Sequence, residues 1–328
     1  MKRILIKNGI LVNEDQQYAA DILVEGTYIA KIGTDLSHPH AEVIDAQGGF
    51  VFPGVIDDQV HFREPGLTHK GCIASESRAA VAGGTTSFME QPNTNPQTVT
   101  LEALEQKMAM GAASSVANYS FLLGGTNDNL EEIKRLDPRA TSGIKLFLGS
   151  STGNMLVDDP QVIEKIFRAT PLVISAHCED EATIRAQMAW AQETYGDQMT
   201  PELHPVIRNA EACYLSSSRA IALARATGAR LHVFHLSTGI EMDLLAPGPL
   251  KGKQITAEVC IHHLWFSDED YATKGNLIKW NPAVKSPADR EALWAGLLED
   301  RIDVIATDHA PHTWEEKNKP YAQAPSGG

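Results

Sequence analysis

The sequence predicts an α/β fold: a (β/α)8 TIM-like barrel with a small flanking β-sandwich domain. Three observations carry this expectation. Short strand-like runs crowd residues 1–52. After Pro53-Gly54, apolar strand-like runs alternate with amphipathic helical stretches about eight times. Several of those strands end in polar residues able to do chemistry, on the face where barrel enzymes place their sites.

The N-terminal domain, 1–52, reads as strands over Ile4–Val12, Asp21–Glu25, Ile29–Ile32 and Glu42–Asp45, with turns at Asn8-Gly9 and Glu25-Gly26. The barrel domain, 53–328, reads as strands over Val55–His61, Thr85–Glu90, Ala117–Leu123, Gly143–Leu148, Leu172–His177, Arg230–His235, Gln254–Cys260 and Ile302–Asp308. Most are apolar or β-branched runs without clean alternation, as expected of strands buried on both faces. Helical patterns lie between them over Ile73–Ala82, Leu101–Met110, Pro160–Ala169, Glu179–Glu193, Glu211–Ala226 and Asp289–Leu298. A doubly wound open sheet is disfavoured, because no glycine-rich phosphate turn follows an early strand.

Composition narrows the function classes. Of 328 residues, 43% are hydrophobic and 21% charged, ordinary for a soluble globular enzyme. Lys+Arg 28 against Asp+Glu 42 gives a net charge of -14, which argues against a nucleic-acid or anionic-membrane surface. No apolar stretch approaches bilayer length, and the N-terminal run Ile4-Leu5-Ile6 is too short for a signal peptide. The cysteines, Cys72, Cys178, Cys213 and Cys260, form no CxxC pair, so a reduced cytoplasmic setting is expected.

The strand ends carry the chemistry. The first barrel strand ends in Gln59-Val60-His61; the fourth holds Lys145; the fifth, sixth and eighth end at His177, His235 and Asp308. Singly, each has a bland reading: a strand histidine is usually a hydrogen-bonded core residue, Lys145 could snorkel, and Asp308 could cap a helix. Jointly, on corresponding strand ends, they suggest a metal centre. Histidine and carboxylate ligands suit Zn2+, which acidifies bound water and polarises a carbonyl. A neutral lysine amine that adds CO2 becomes a carbamate anion able to bridge two ions. A carboxylate such as Asp308 can orient the attacking water and shuttle its proton.

The order HxH, strand-four Lys, His, His, Asp resembles the amidohydrolase superfamily. His61-Phe62-Arg63-Glu64-Pro65-Gly66, Pro92-Asn93-Thr94 and Thr307-Asp308-His309-Ala310-Pro311-His312 resemble dihydroorotase more narrowly, and Lys145-Leu146-Phe147-Leu148 resembles the dihydroorotases with a carbamylated lysine. The resemblance covers essentially the whole chain. It implies reversible hydrolysis of the cyclic amide of dihydroorotate to N-carbamoyl-aspartate by a hydroxide held on one or two zinc ions, in pyrimidine synthesis. It further implies Asp308 as general base and acid, and His61, Lys145, His177, His235 and Asp308 as ligands, with Lys145 carboxylated. Arg63, Asn93 and His312 would hold the substrate carboxylate, for which a forked guanidinium is suited. Asn281 would contact the substrate, and Ser326 and Gly327 would offer main-chain groups to the ring. A homodimer follows from the same resemblance.

Two departures stand out. Gln59 occupies a position where the family usually has His; its amide oxygen is a weaker Zn2+ ligand, so this position is expected to be weak or absent as a ligand. The chain stops at Pro325-Ser326-Gly327-Gly328, so a final barrel helix and C-terminal sandwich strands are expected to be missing, leaving exposed apolar edges and poor solubility. Two competing functions follow. One is another cyclic amidase, allantoinase or dihydropyrimidinase-like, which need not bind a carboxylate. The other is a non-catalytic homologue kept as a structural partner of aspartate transcarbamoylase. His309, His232 and the His262-His263 doublet are read as structural, and His69 and His204 carry no assignment.

Overall fold

The structure, a computed structural model, describes residues 1–149 and 155–328. Contacts divide the chain into two compact units, Met1–Val55 and Ile56–Gly328.

In the first unit, β1 (Arg3–Asn13) is central. It pairs antiparallel with β2 (Gln16–Glu25) and parallel with β4 (Glu42–Asp45) and β5 (Phe50–Val51); β3 (Tyr28–Gly33) adds to β2. Leu11, Ala20 and Ile22 form the apolar centre. The buried Asp21 carboxylate accepts from the main-chain N–H of Asn8 and Leu36, at 2.9 and 3.0 Å. Tyr28, Ile29, Val43, Ile44, Phe50 and Phe52 are exposed. The second strand starts at Gln16 rather than Asp21. The reason is a tight hairpin at Glu14 and Asp15, both in the left-handed region (φ 49 and 59), without the Asn-Gly signature that marks such turns.

In the second unit the strands are β6 (Val55–Val60), β7 (Thr85–Glu90), β8 (Asn118–Phe121), β9 (Leu123–Gly124), β10 (Ile144–Phe147), β11 (Val173–His177), β12 (Arg230–Val233), β13 (Ile255–Cys260) and β14 (Val304–Ala306). They run in the orders β6-β7-β8 and β14-β13-β12-β11-β10-β9, and every register resolved between them is parallel. Leu122 N–H donates to Glu90 O, so the third strand is interrupted at Leu122 instead of running unbroken over Ala117–Leu123. A parallel bridge pairs Val60 with His309, and His61 N–H donates to His309 O at 2.7 Å, so the first strand lies beside the segment after β14.

The main helices are α1 (Ile73–Ala82), α2 (Leu101–Ser114), α3 (Leu130–Arg135), α4 (Pro160–Ala169), α5 (Glu181–Tyr195), α6 (His204–Ile207), α7 (Ala210–Thr227), α8 (Ile261–Trp265), α9 (Tyr271–Lys274), α10 (Pro287–Leu298) and α11 (Trp314–Lys317). Their starts follow capping chemistry. Asp159 accepts from Gln161 N ahead of Pro160, Asn209 accepts from Ala212 N, and Ser286 accepts from Asp289 N. Asp180 caps α5, which therefore begins after Glu179 and frees that side chain for the site.

Strand geometry sorts the side chains. Ile144, Leu146, Ile174, Ala176, Leu231, Val233, Ala257 and Val259 join Ile166, Phe167, Ile221 and Leu293 in one apolar core. The residues that alternate with them, Lys145, Ser175, His177, His232 and Glu258, are buried too, on the opposite strand face. One face is thus an oily seat for helices and the other a polar interior.

A buried ion pair joins the end of β7 to α2. Lys107 Nζ lies 3.3 Å from Glu90 Oε2 and donates to Gln91 O at 3.0 Å. Burial pushes Glu90 up to about 7 and pulls Lys107 down. Removing one partner strands the other in an apolar setting. Lys107→Met is expected to destabilise the fold by about 3–5 kcal/mol in urea denaturation, while Glu90→Gln with Lys107→Met restores part of it. A loss below ~1 kcal/mol for the single variant would mean the pair is solvated.

Candidate active site

A cavity of about 710 Å3 opens where the strand ends converge. It is lined by Gln59, His61, Arg63, Asn93, Lys145, His177, His235, Asn281, Asp308 and His312, which are all the residues the sequence singled out as site candidates, together with Ser326 and Gly327. Lys70, Gln97 and Phe147 line it as well.

His177 ends β11, and His235 stands two residues beyond β12. Glu179 is fully buried, and its Oε2 lies 2.8 Å from His177 Nε2. Arg208, on the loop after α6, donates its Nε to Glu179 Oε1 at 3.1 Å and pairs its other nitrogen with Oε2. Burial opposes ionisation of Glu179, but the Arg208 charge and the His177 and Arg208 hydrogen bonds outweigh it and hold the carboxyl well below its usual range. A carboxylate only accepts, so His177 Nε2 carries the hydrogen and Nδ1 presents its lone pair. That lone pair faces His235 Nε2 at 3.0 Å. Burial lowers both rings, which favours the neutral, ligand-competent form.

His61 and Asp308 form a second donor pair. His61 Nδ1 lies 2.8 Å from Asn93 Oδ1, so Nδ1 carries the hydrogen. His61 Nε2 then presents a lone pair to Asp308 Oδ1 at 3.0 Å. Among the described residues, nothing donates a hydrogen bond to that Oδ1. Two electron-rich atoms at this separation repel unless a cation or proton lies between them, and burial lowers His61 rather than favouring its proton. The residues present therefore fit a divalent cation: imidazole and carboxylate donors, facing each other, with ring tautomers fixed from behind.

Lys145 lies between these pairs and is buried. Its Nζ sits 3.9 Å from the Phe234 ring centre and 4.9 Å from that of Phe147. Burial pulls it down to about 7. Its burial excludes the snorkelling alternative and favours the uncharged amine, which is the form CO2 addition requires.

The opposite wall is cationic. Arg63 is buried and donates Nε to Pro311 O at 3.0 Å; its NH2 nitrogen lies 3.0 Å from His312 Nε2. It is no surface partner of Glu64, whose Oε2 accepts from Ile73 N at 2.9 Å. Burial and the Arg63 and Lys70 charges hold His312 down at about 3, so it is neutral. Lys70 Nζ reaches His312 Nδ1 at 3.1 Å and Glu316 Oε1 at 3.1 Å. Gly66 lets this loop close: a Cβ there, at φ +82, would stand 1.8 Å from Asn95 O. Arg63, His235 and Asp308 also hold left-handed backbone (φ 71, 40 and 48), a conformation non-glycine residues adopt mainly under local constraint. For His235 the constraint is visible, since its N–H donates to Glu258 Oε1 at 3.1 Å.

Sequence reasoning missed Lys70, Glu179, Arg208 and Glu258. Only Glu179 carried a signal, two residues beyond His177. Of the histidines read as structural, His309 pairs with Glu76 at 2.7 Å off the cavity wall, and His232 lies 3.3 Å from both Asp58 and Glu258 carboxylates. His204 is buried, bonding Tyr321 and Trp280 O.

Glu179→Gln removes the charge that pairs with Arg208 and leaves one neutral acceptor oxygen where His177 and Arg208 now share two. It should weaken metal affinity by about 10–100-fold. It should also cost about 3–5 kcal/mol of stability. The sign of the pH effect follows from the depressed carboxyl. The wild-type advantage is full above the unfolded value of about 4.3 and is lost as pH falls below it, whereas the variant lacks that slope. Matched denaturation curves at pH 7 and pH 3 check this; equal slopes would contradict the buried pairing.

Comparison with known proteins agrees with this geometry. Residues 48–240 match the sequence profile of the Dihydro-orotase-like family. An allantoinase of Deinococcus radiodurans is 34% identical over 315 residues, covering 94% of this chain and 69% of that protein. A dihydroorotase of Halobacterium salinarum is 37% identical, covering 94% and 70%, and one of Lactobacillus leichmannii 33%, covering 96% and 73%. The structure of L-hydantoinase (dihydropyrimidinase) from Arthrobacter aurescens superposes with a TM-score of 0.91 at 29% identity, covering all of this chain and 74% of that one. Dihydropyrimidinase from Brevibacillus agri gives 0.89 at 25%, covering 99% and 73%. By profile, by relatives and by fold, the chain belongs to the dihydroorotase-like family of cyclic amidohydrolases.

Proposed function

We propose that this chain is a zinc-dependent dihydroorotase, built on a closed (β/α)8 barrel with a small β-sandwich domain, that interconverts dihydroorotate and N-carbamoyl-aspartate. The observation that carries this reading is one cavity with two kinds of wall: the metal-competent donors His61, His177, His235 and Asp308 on one side, and the Arg63 guanidinium beside neutral His312 on the other. A ring amide that also bears a carboxylate needs both. Arg63, with Asn93 and His312, would take the carboxylate, and Asn281 with the main chain of Ser326 and Gly327 would hold the ring.

His61, Lys145 as its carbamate, His177, His235 and Asp308 would hold one or two zinc ions, with Gln59 a weak ligand or none. Bound zinc would acidify a water and polarise the ring carbonyl. Asp308 would accept the proton of the attacking water and return it to the ring nitrogen as the C–N bond breaks; cyclisation is the reverse. Glu179 would keep His177 Nδ1 aimed at the cavity. The same reading carries a cytoplasmic homodimer acting on small molecules in pyrimidine synthesis.

An allantoinase or hydantoinase activity would leave the Arg63 wall without a carboxylate to bind. A structural partner of aspartate transcarbamoylase would have no chemical need for the donor set. Turnover separates the three. With zinc added, dihydroorotate should be hydrolysed, and hydantoin and allantoin should not. Arg63→Met should lower kcat/KM about 10–150-fold, chiefly through KM, as expected for losing a hydrogen-bonded charge contact. Turnover of hydantoin in place of dihydroorotate, or of neither with metal bound, would overturn the reading.

A further inference from the structure

A second donor cluster lies beside the cavity, outside the His177 and His235 pair. Cys260 ends β13, and His262 and His263 stand in the first turn of α8. All three are buried, and Cys260 Sγ and one ring nitrogen of each histidine lie within 4.8 Å of one another.

The ring hydrogens can be placed. His263 Nε2 lies 3.1 Å from Pro282 O; a carbonyl only accepts, so Nε2 carries the hydrogen and Nδ1 is a lone pair. His262 donates to the main chain of Thr307 and stacks on Trp280 at 4.2 Å, so its Nε2 is the bare nitrogen. Among the described residues neither His262 Nε2 nor His263 Nδ1 has a hydrogen-bond partner. Buried ring nitrogens are normally satisfied, and two orphaned lone pairs beside a thiol call for an electrophile or a donor.

A fourth group completes the set. Gln59 Oε1 lies 3.8 Å from Cys260 Sγ. Two ligands on one tetrahedral zinc, at about 2.3 Å for sulfur and 2.0–2.2 Å for oxygen, stand roughly 3.6 Å apart. Gln59 also lines the large cavity, which gives an ion a way in. We propose that Cys260, His262 and His263, with Gln59 Oε1 as the fourth donor, form a separate binding site for a borderline-soft divalent cation such as Zn2+. The thiol proton leaves to solvent as the sulfur is bound. The amide at position 59 then belongs to this neighbouring site, rather than being a defective copy of an imidazole.

Co2+ titration of the metal-free full chain tests this without reading activity. The proposal expects a sulfur-to-cobalt charge-transfer band in the near ultraviolet that saturates near one equivalent per chain. The band should vanish in Cys260→Ser and persist in Cys72→Ser, whose thiol is the partly exposed one. Cobalt held by His177 and His235 gives visible bands without sulfur character, so loss of that site and loss of this one are distinguishable. If Cys260→Ser does not fold, His263→Gln serves, with at least a 10-fold weaker titration of the same band expected. Absence of the band in the wild-type chain, or its survival in Cys260→Ser, would overturn the proposal.

Discussion

The pairing of Glu179 with Arg208 is the constraint on which the rest of the site depends. It is a buried carboxylate held ionised by a guanidinium, and its remaining acceptor capacity goes to one hydrogen of His177. That choice of tautomer decides which nitrogen of His177 faces the cavity, and so makes a donor pair with His235. The Glu179 main chain also packs closely against the segment after the neighbouring strand. The end of the β10 segment passes so close to Glu179 that a Cβ at Gly149 would stand 1.8 Å from its carbonyl oxygen.

A comparable logic runs on the other side. Glu258 holds the His235 main chain in its left-handed turn through one oxygen, and with the other meets His232, which Asp58 also approaches. Burial disfavours the His232 cation, but the hydrogen bonds to Asp58 and Glu258 override it and raise the ring to about 9. The imidazoles facing the cavity are kept neutral while the one behind them is charged. Residues one layer back thus fix the ring tautomer of His177, while burial keeps the rings in front neutral. The chain as a whole carries a charge of -14, yet Arg63 and Lys70 turn cations toward the cavity. Such local inversion is what an anionic substrate requires of an acidic protein.

Much of this was legible in the sequence because strand ends have a fixed position in an alternating α/β chain. Once the β–α alternation is read, Lys145, His177, His235 and Asp308 must face the same way. The start of α4 was legible because Asp159 and Pro160 announce it, whereas α10 begins at Pro287 behind its Ser286 cap, ahead of the Asp289 start that was expected. What escaped has physical reasons. Arg208 follows a four-residue helix with no periodicity, and Lys70 sits in an irregular loop. Glu258 lies mid-strand, where a carboxylate reads as an error rather than a support. The hairpin at Glu14 and Asp15 uses residues that rarely enforce left-handed backbone, and the break at Leu122 is a pairing choice that an apolar run cannot announce.

Gln59 stands where the resemblance led to the expectation of histidine, and the structure gives its oxygen a neighbour in Cys260. The account stands or falls on whether the donors His61, Asp308, His177 and His235 hold an ion. Zinc content of the chain purified without chelator at neutral pH measures this most directly. The account predicts about one equivalent or more per chain beyond any that Cys260→Ser removes, with that share lost in His177→Ala; fewer than ~0.5 equivalents in the wild-type protein would contradict it.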